Sequence, residues 1–439
     1  MPLKCNKFRA PALYLLFISV CFQGWCGINL TKRNPFKDMP KEVTILTTIS
    51  FLVAIGFGLI IPAIPIFASS FGVSKTAIGL LISAFAMMRF ASGLFSGKLV
   101  DRFGERTILG VGLFMVSFFT LLTGLAQSYN QLLFFRTLGG LGSSMFTIAA
   151  GSLLMRSVTD DVRARAQSLY NGGFLIGAIA GPGVGGLLSG LSLRVPFIAY
   201  STTLALAGVV ALFFLSERRL GHKVDVSGKG IETTSLKEAL KLRPYQIALL
   251  LAFVNNWVLF GMRSSILPLF VTEKLNSTVT IAGLGLTLGA LMQGIFLLRA
   301  GRFSDENGRR LAFLIGGTVV VSAILVLCIT DNVTLYLISM ALFGIGGAFV
   351  GTVPGSVVGD IIRGRGGQVI AAWQMAGDAG MIVGPILVGL LTDLYSFQAA
   401  FILSAVVYSS AVFLALILPE TRQSKLGYEL IPDKNKQEM

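Results

Sequence analysis

Long apolar stretches alternate with short polar segments along most of the chain. After residue 42 about twelve such stretches can be placed, and a bilayer-spanning helix needs roughly 20 apolar residues. They begin near Val43, Thr76, Thr107, Gln131, Ala166, Val195, Tyr245, Thr280, Arg310, Val333, Gly367 and Phe397. Because backbone polar groups in lipid must be satisfied within the segment, and the runs are too long for barrel strands, the pattern predicts twelve transmembrane helices in an all-α membrane protein.

Four sequence landmarks occur twice in the same order, 203 or 204 residues apart. The pairs are Phe57–Phe67 with Phe260–Phe270, Gly97–Arg106 with Gly301–Arg310, Gly140–Gly142 with Gly344–Gly346, and Gly181–Pro182 with Gly384–Pro385. Such a repeat predicts two pseudo-symmetric six-helix bundles related by an axis along the membrane normal. A substrate is then expected near mid-bilayer between the bundles, and rocking of one against the other would expose it to each side in turn.

This duplication sets the predicted domain boundaries. The first bundle is expected over 43–216, a polar cytoplasmic linker over 217–244, the second bundle over 245–418 and a cytoplasmic tail over 419–439. Residues 1–42 precede the first core helix. They are interpreted either as an upstream extension from a mis-assigned start or as a loosely attached segment.

The chain is 54% hydrophobic and only 13% charged, about half the charged fraction of an ordinary soluble domain. Its net charge of +15 reflects topology and not nucleic-acid binding. Lysines and arginines concentrate in the loops after the even-numbered helices and in the tail, whereas the opposite loops contain only Lys75, Arg194 and Lys274. This asymmetry predicts that both termini of the core are cytoplasmic. Compactness and short loops favour a plasma membrane, specifically a bacterial inner membrane.

Enzyme chemistry is not expected. The four cysteines have no metal-ligand or disulfide spacing, and the single histidine, His222, lies in a predicted cytoplasmic loop. No phosphate-binding loop of the Gly-x-x-x-x-Gly-Lys-Ser/Thr type is present. The sequence therefore predicts no cofactor and no metal, with a small molecule, the lipid bilayer and possible coupling protons as the partners of a monomer.

A motif in the loop between the second and third helices resembles that of the Major Facilitator Superfamily. The superfamily pattern is Gly-x-Leu-x-Asp-Arg-x-Gly-Arg/Lys-Arg, and this chain departs from it at Glu105. The matching residues of the two copies are Gly97, Asp101, Arg102, Gly104, Arg106, Gly301, Asp305, Gly308, Arg309 and Arg310. The resemblance implies a cytoplasmic gate, in which Asp101 accepts hydrogen bonds from the start of the eleventh helix. The alternative is that these residues only form a tight turn and fix topology.

The fifth helix contains a glycine-rich motif made of Gly177, Gly181, Pro182, Gly185 and Gly186. This motif resembles that of the twelve-helix drug:proton antiporters within the superfamily. Small residues let helices pack closely in lipid, and a proline kinks a helix. The resemblance implies a closely packed hinge that resists leakage. Ordinary glycine packing is the alternative.

Few charges lie within the predicted spans, namely Arg89, Arg136, Arg263 and Asp378. Each costs roughly 2.5 to 3.5 kcal/mol at a helix centre, so each is a functional candidate. Similar depths in the second and eleventh helices predict that Arg89 pairs with Asp378 between the bundles in one conformational state. The alternative is that each is satisfied within its own bundle. Arg136 resembles the arginine of the superfamily's fourth-helix motif, which implies a role in proton coupling; Arg89, Arg136 and Asp378 are the coupling candidates.

Uncharged polar residues within the spans are the candidates for substrate contact. They are Asn171, Asn255, Asn256, Trp257, Gln293 and Gln374. Hydrogen bonding between helices is the competing explanation, and the scarcity of carboxylates favours apolar or neutral cargo. Together these features predict an exporter of small amphipathic compounds or drugs, coupled to proton entry by alternating access. The alternative is a sugar or amino-acid-like metabolite exporter or uniporter on the same fold, without proton coupling.

Overall fold

A computed structural model describes residues 39–158, 160–215, 235–361 and 367–421. Within these residues the fold consists of helices, of which eleven are long and apolar enough to cross a membrane, or twelve if one bent pair is a single span. The spans are α1 (Lys41–Ser69), α2 (Lys75–Ala91 and Gly93–Phe103), α3 (Glu105–Leu125), α4 (Tyr129–Arg156), α5 (Asp160–Leu191), α6 (Val195–Phe214), α7 (Arg243–Lys274), α8 (Val279–Asn307), α9 (Arg309–Cys328), α10 (Val333–Ile361), α11 (Gly367–Leu394) and α12 (Phe397–Ala415). The predicted all-α membrane architecture is confirmed.

Helix starts lie close to those predicted from hydropathy. All begin within two residues of the expected position except α5, which begins at Asp160 instead of Ala166. Hydropathy reports only the lipid-facing length of a helix, so the extra turns of α5 precede its apolar run. Residues 1–38 of the proposed extension over 1–42, most of the linker and the tail after residue 421 lie outside the described residues.

Three spans are irregular, each for a local reason. The helix α1 breaks at Ile61–Pro62, and α7 contains π-helical turns at Trp257–Arg263 and Phe270–Lys274 on either side of Pro268. A proline lacks the N–H that an α-helix requires, so the ladder must rearrange around it. In α2 a bend of 51° follows Ala91, where the Ser92 hydroxyl donates 2.7 Å to the carbonyl of Met88. Such back-bonding serines often bend helices.

Glycines hold α5 against α1 and α11 against α7 in the same way. A Cβ on Gly58 would lie 2.7 Å from Cα of Gly181, and a Cβ on Gly261 would lie 2.9 Å from Cα of Gly384. The two glycine pairs are related by the repeat, at an offset of 203 residues. Any larger residue would separate the helices, so the duplication extends from sequence to backbone packing.

Two seams join the six-helix bundles. The first seam is the contact of α2 with α11, and the second seam is the contact of α5 with α8. In the first, a Cβ on Gly79 would overlap the carbonyl oxygen of Pro385; in the second, a Cβ on Gly283 would overlap that of Pro182. The repeat therefore places a glycine on a proline carbonyl in both seams.

The two ends of the bundle differ. We call the end at which α2 and α8 terminate, at Phe103 and Asn307, the basic end, and the end at which they begin the opposite end. At the opposite end the Asp393 carboxylate accepts hydrogen bonds of 2.8 Å from the backbone N–H groups of Lys75 and Thr76, and Lys75 pairs with Glu273 at 3.0 Å. At the basic end, by contrast, a Cβ added at 97, 104 or 301 would meet no atom of another element within 4 Å among the described residues.

Candidate functional site

An ion pair crosses the first seam between α2 and α11. Arg89 Nη2 donates to Asp378 Oδ1, and the two side chains are 31% and 25% exposed. Nearby, the buried Ser83 hydroxyl donates 2.6 Å to the carbonyl of Ile382. The expected contact between Arg89 and Asp378 is thus present, and the first seam is held by a charge pair and a neutral hydrogen bond.

The second seam has different residues at the related positions. The repeat offset of 204 places Gln293 where the first seam has Arg89, and an offset of 203 places Leu175 where it has Asp378. Thr287 corresponds to Ser83, but its buried Oγ1 has no hydrogen-bond partner among the described residues. The second seam therefore repeats the backbone packing without the ion pair.

A small cavity lies between the bundles beside Arg136. Its walls are Phe57, Ile61, Ile64, Ile82, Phe85, Arg136, Phe260, Ser264 and Met381, which come from both halves. The cavity measures about 20 Å³, room for one water molecule. Its lining is apolar apart from Arg136 and Ser264, so the guanidinium is the dominant charge at this place.

Arg136 is held by aromatic side chains. It is 6% exposed, its guanidinium carbon lies 4.2 Å from the centroid of the Phe85 ring, and its Nε has no hydrogen-bond partner among the described residues. Phe57 packs edge-on against Tyr200 beside it, at 6.5 Å between centroids. A cation–π contact offsets part of the free-energy cost of burying a cation. The N–H without a partner means that the rest of this cost is not offset.

Arg263 repeats this situation in the second half. Its guanidinium carbon lies 5.4 Å from the Phe343 ring centroid, and its Nε also lacks a partner among the described residues. The sequence makes Arg263 a functional candidate as a charge within a span, but it is not among the predicted coupling residues. Its contact with Phe343 depends on the direction of the side chain, which the sequence pattern does not show.

Two candidates for substrate contact are engaged between helices of the second half. Asn255 donates 3.2 Å to the carbonyl of Val350 and accepts 2.6 Å from the Tyr408 hydroxyl. Trp257 is 4% exposed, with Nε1 3.4 Å from the Ser404 hydroxyl. These contacts favour the alternative of helix–helix bonding for both residues.

The other candidates are more accessible. Asn171 and Gln374 are exposed, whereas Asn256 and Gln293 are half-buried. Asn171 accepts 3.0 Å from Gln167, one turn away, and Asn256 donates 3.0 Å to the carbonyl of Ala252. Their proposed contact with substrate stays a prediction.

The first gate loop is tied to the end of α4 by an ion pair. The acidic member of this pair is the residue at which the chain departs from the superfamily motif. Glu105, where the superfamily has a basic residue, accepts 2.8 Å from Arg156 at the end of α4 and 3.0 Å from the Ser152 hydroxyl. The preceding residue, Gly104, has φ of +87°, which L side chains rarely adopt. Arg106 donates to the carbonyl of Leu212 near the end of α6.

The second gate loop carries the same pair with the charges reversed. Arg309 and Asp360 correspond to Glu105 and Arg156 by the offset of 204, and Arg309 Nε donates 3.2 Å to Asp360. Arg309 also binds Asp305, and its backbone N–H donates 2.9 Å to Glu420.

The remaining gate candidates are four charged residues and the second turn glycine. The side chains of Asp101, Arg102, Asp305 and Arg310 are exposed. Gly308, with φ of +103°, repeats the turn of Gly104. The expected hydrogen bonding of Asp101 to the start of α11 stays a prediction, since residues 362–366 lie outside the described part of the chain.

The glycine motif of α5 has two contact faces. Gly177, Gly181 and Gly185 lie one turn apart and face the backbone of α1; a Cβ on Gly177 would lie 2.6 Å from the nitrogen of Ile55. Gly186 faces α8 across the second seam, with its added Cβ 3.1 Å from Cα of Gly283. The motif thus fixes α5 to its own bundle and to the other bundle.

Comparison with known proteins agrees with this architecture. The model of the Major Facilitator Superfamily matches residues 46–269 and 249–430. Multidrug resistance protein 1 of Bacillus subtilis (strain 168) is 26% identical over 359 residues, covering 80% of this chain and 90% of that protein. Multidrug resistance protein MdtG of Proteus mirabilis (strain HI4320) is 26% identical over 416 residues, covering 91% and 100%. A solved bacterial homolog of the human lysosomal transporter Spinster, inward-facing and unoccupied, superposes with a TM-score of 0.72 at 16% identity, covering 87% of this chain and 97% of that one.

Proposed function

The chain belongs to the Major Facilitator Superfamily, and from this premise we propose that it exports small amphipathic compounds by proton antiport with alternating access. The family and the relatives identify a multi-pass membrane transporter and not an enzyme. Two relatives are named multidrug resistance proteins, which supports amphipathic drugs as the cargo. The location we propose is the plasma membrane of a bacterium.

The observation that carries the proposal is the unequal closure of the two ends. Contacts between the bundles run from Arg89–Asp378 to the Asp393 cap at the opposite end, while at the basic end a Cβ added to Gly97, Gly104 or Gly301 would meet no atom of another element within 4 Å among the described residues. If the basic end is cytoplasmic, as its Lys and Arg content predicts, the structure is inward-facing. Rocking of the bundles about the two seams would then open the other side.

Asp378 is the residue we propose to carry the coupling proton. In the inward-facing state Arg89 neutralises it. Separation of α2 from α11 would leave a carboxylate in the membrane without a partner, and protonation removes that cost. Proton binding and opening of the first seam would therefore favour one another.

The two gate loops are proposed to close the basic end in the outward-facing state. Gly97 and Gly301 have room for another element to approach. Asp101 and Asp305 are exposed, and Asp305 would exchange its contact with Arg309 for one with a facing helix end. A carboxylate is stabilised at a helix N-terminus by the backbone N–H groups there.

Transport in proteoliposomes tests the proposal. Protein is reconstituted in vesicles loaded with a fluorescent drug, and efflux is compared with and without an imposed pH gradient. We expect drug movement driven by the gradient, abolished by a protonophore and lost in Asp378→Asn. Asp331→Asn, a change in the exposed loop before α10, serves as the matched control and should transport normally.

Drug movement at a rate that does not depend on the pH gradient would contradict proton antiport. In that case, counterflow with unlabelled sugars or amino acids would favour the metabolite exporter or uniporter. An active protein in which Asp378→Asn still responds fully to the gradient would exclude Asp378 as the proton carrier.

A further inference from the structure

In the cavity, the guanidinium of Arg136 lies in apolar surroundings with part of its hydrogen bonding unsatisfied. The guanidinium is more than nine-tenths buried and its Nε is unbonded among the described residues. The rings of Phe57, Phe85 and Phe260 are part of the cavity walls. A buried cation is normally matched by a carboxylate, as Arg89 is matched by Asp378 one helix away.

From this arrangement, and resting on the proposed export function, we infer that Arg136 binds the anionic headgroup of an amphipathic substrate. A carboxylate or sulfonate would accept charge-assisted hydrogen bonds from the guanidinium, and the apolar body of the compound would lie against the aromatic walls and Met381. An anionic headgroup replaces the neutral cargo that the scarcity of carboxylates favours, because an arginine without a carboxylate partner attracts an anion.

The position of the cavity agrees with an alternating path. Its walls come from α1, α2 and α4 of one half and from α7 and α11 of the other, so motion between the halves changes its size. In the structure it has room for a water-sized group only. Phe85 and Met381 belong to one small apolar cluster that bridges the halves. Their separation would make room for a whole substrate.

Arg263 gives the second half a related feature at a different place. It lies next to Ser264, which lines the cavity, but its guanidinium faces Phe343 in α10. Arg136 lines the cavity itself and Arg263 does not. The inference therefore assigns the headgroup to Arg136.

Two fluorescent probes with the same ring system test the charge preference. 8-Anilino-1-naphthalenesulfonate carries a sulfonate, and N-phenyl-1-naphthylamine is its neutral counterpart. Both are titrated against the purified full chain in nanodiscs, with empty nanodiscs subtracted. We expect the protein to bind the anionic probe about tenfold or more tightly than the neutral one, as for a hydrogen bond to a charged group.

Variants at Arg136 assign the preference to the guanidinium. In Arg136→Gln the ratio of the two dissociation constants should fall to about two or less, with saturable binding of the neutral probe reporting an intact cavity. Arg136→Lys should keep part of the preference, because a point charge remains without the planar fork. The control is Arg194→Gln, whose arginine also lies over a ring, Phe67, at 5.9 Å but outside the cavity. It should bind both probes as the unchanged protein does.

Competition in the unchanged protein gives an answer that needs no variant. Decanoate should displace the anionic probe at a concentration about tenfold lower than decanol does. Equal displacement, or an unaltered probe ratio in a folded Arg136→Gln protein, would overturn the inference. Displacement by millimolar chloride would overturn it too, since a small inorganic ion would then satisfy the guanidinium.

Binding and transport results separate this inference from the proposed function. A clear anion preference without gradient-driven transport would leave the binding site standing and refute antiport. Gradient-driven transport with no anion preference would support antiport and refute the anion site at Arg136.

Discussion

The two seams between the bundles share a backbone design but differ in side-chain chemistry. In both, a glycine of one helix meets a proline carbonyl of the other. In the first seam the contact is reinforced by Arg89–Asp378 and by the Asp393 cap. The second seam has Gln293 and Gly190 at the related positions. Duplication therefore supplied a symmetric pivot, and substitution placed charge on one side of it only.

This difference suggests that the two seams have different roles in transport. Packing of small residues in lipid is insensitive to protonation, so the second seam can act as a constant pivot. The first seam depends on an ion pair within the membrane, and its strength changes when a proton binds. The first three predictions below use labelling of a cysteine introduced at Ile64, in a protein whose native cysteines are replaced by serine. Ile64 is 6% exposed in the structure and lines the cavity, so opening of the opposite end should expose it.

The largest effects are expected from Gly79→Val and Gly283→Val, one in each seam. Each adds a Cβ that overlaps a backbone carbonyl, which has no flexible end to move aside. Overpacking of this kind costs about 3 kcal/mol, equivalent to about a hundredfold faster maleimide labelling at position 64. Gly151→Val, in an α4 position with no neighbour within 4 Å among the described residues, is the control for β-branched substitution. If only one of the two valine substitutions strongly raises the labelling rate, the two seams do not act as a symmetric pivot.

The next effect should separate the seams. Asp378→Ala removes the partner of Arg89 and a hydrogen bond to a charged group, at about 2 kcal/mol, so labelling should rise about thirtyfold. Gln293→Ala, at the position related to Arg89, should change it less than about twofold. The double exchange Arg89→Asp with Asp378→Arg should restore much of the closure. Equal responses of Asp378→Ala and Gln293→Ala would remove the proposed difference between the seams.

A smaller effect is expected at the opposite end. Asp393→Ala removes the acceptor for Lys75 and Thr76 at the start of α2, and loss of such a cap costs about 1 kcal/mol. Labelling should rise about fivefold. Gly190→Asp would place a carboxylate beside Thr280 at the start of α8 and should slow labelling. If Gly190→Asp has no effect while Asp393→Ala does, the second seam lacks the geometry for this cap.

The smallest effects should have opposite signs. Ser83→Ala loses a buried hydrogen bond to Ile382 and should lower the free energy of unfolding by about 1 kcal/mol. Thr287→Val, at the related position, removes a buried hydroxyl that has no partner in the described part of the chain, and should raise the free energy of unfolding by a similar amount. Thermal unfolding in detergent measures both, with shifts of about 2 °C. Shifts of the same sign would mean that the Thr287 hydroxyl is satisfied by a bound water.

Much of the fold followed from the sequence because its signals are periodic and local. Apolar length located the helices, and glycine pairs related by the repeat, such as Gly58–Gly181 and Gly261–Gly384, carry the packing. The pairing of Arg89 with Asp378 was accessible because depth can be counted at about 1.5 Å per residue.

The details of the site were less accessible, because they depend on which way side chains point. Polarity alone made Asn255 and Trp257 substrate candidates, yet both bond between helices of one half. The unmatched state of Arg136 is a property of its surroundings and not of its own helix. In the sequence Glu105 is only a departure from the motif, whereas the structure places Arg156 opposite it.

The reversed pairs Glu105–Arg156 and Arg309–Asp360 have a consequence for chimaeric proteins. A loop grafted from one half into the other would bring like charges together, Glu105 against Asp360 or Arg309 against Arg156. Each loop is therefore compatible only with the helix end of its own half. A graft between the halves must therefore carry both members of a pair, Glu105 with Arg156 or Arg309 with Asp360.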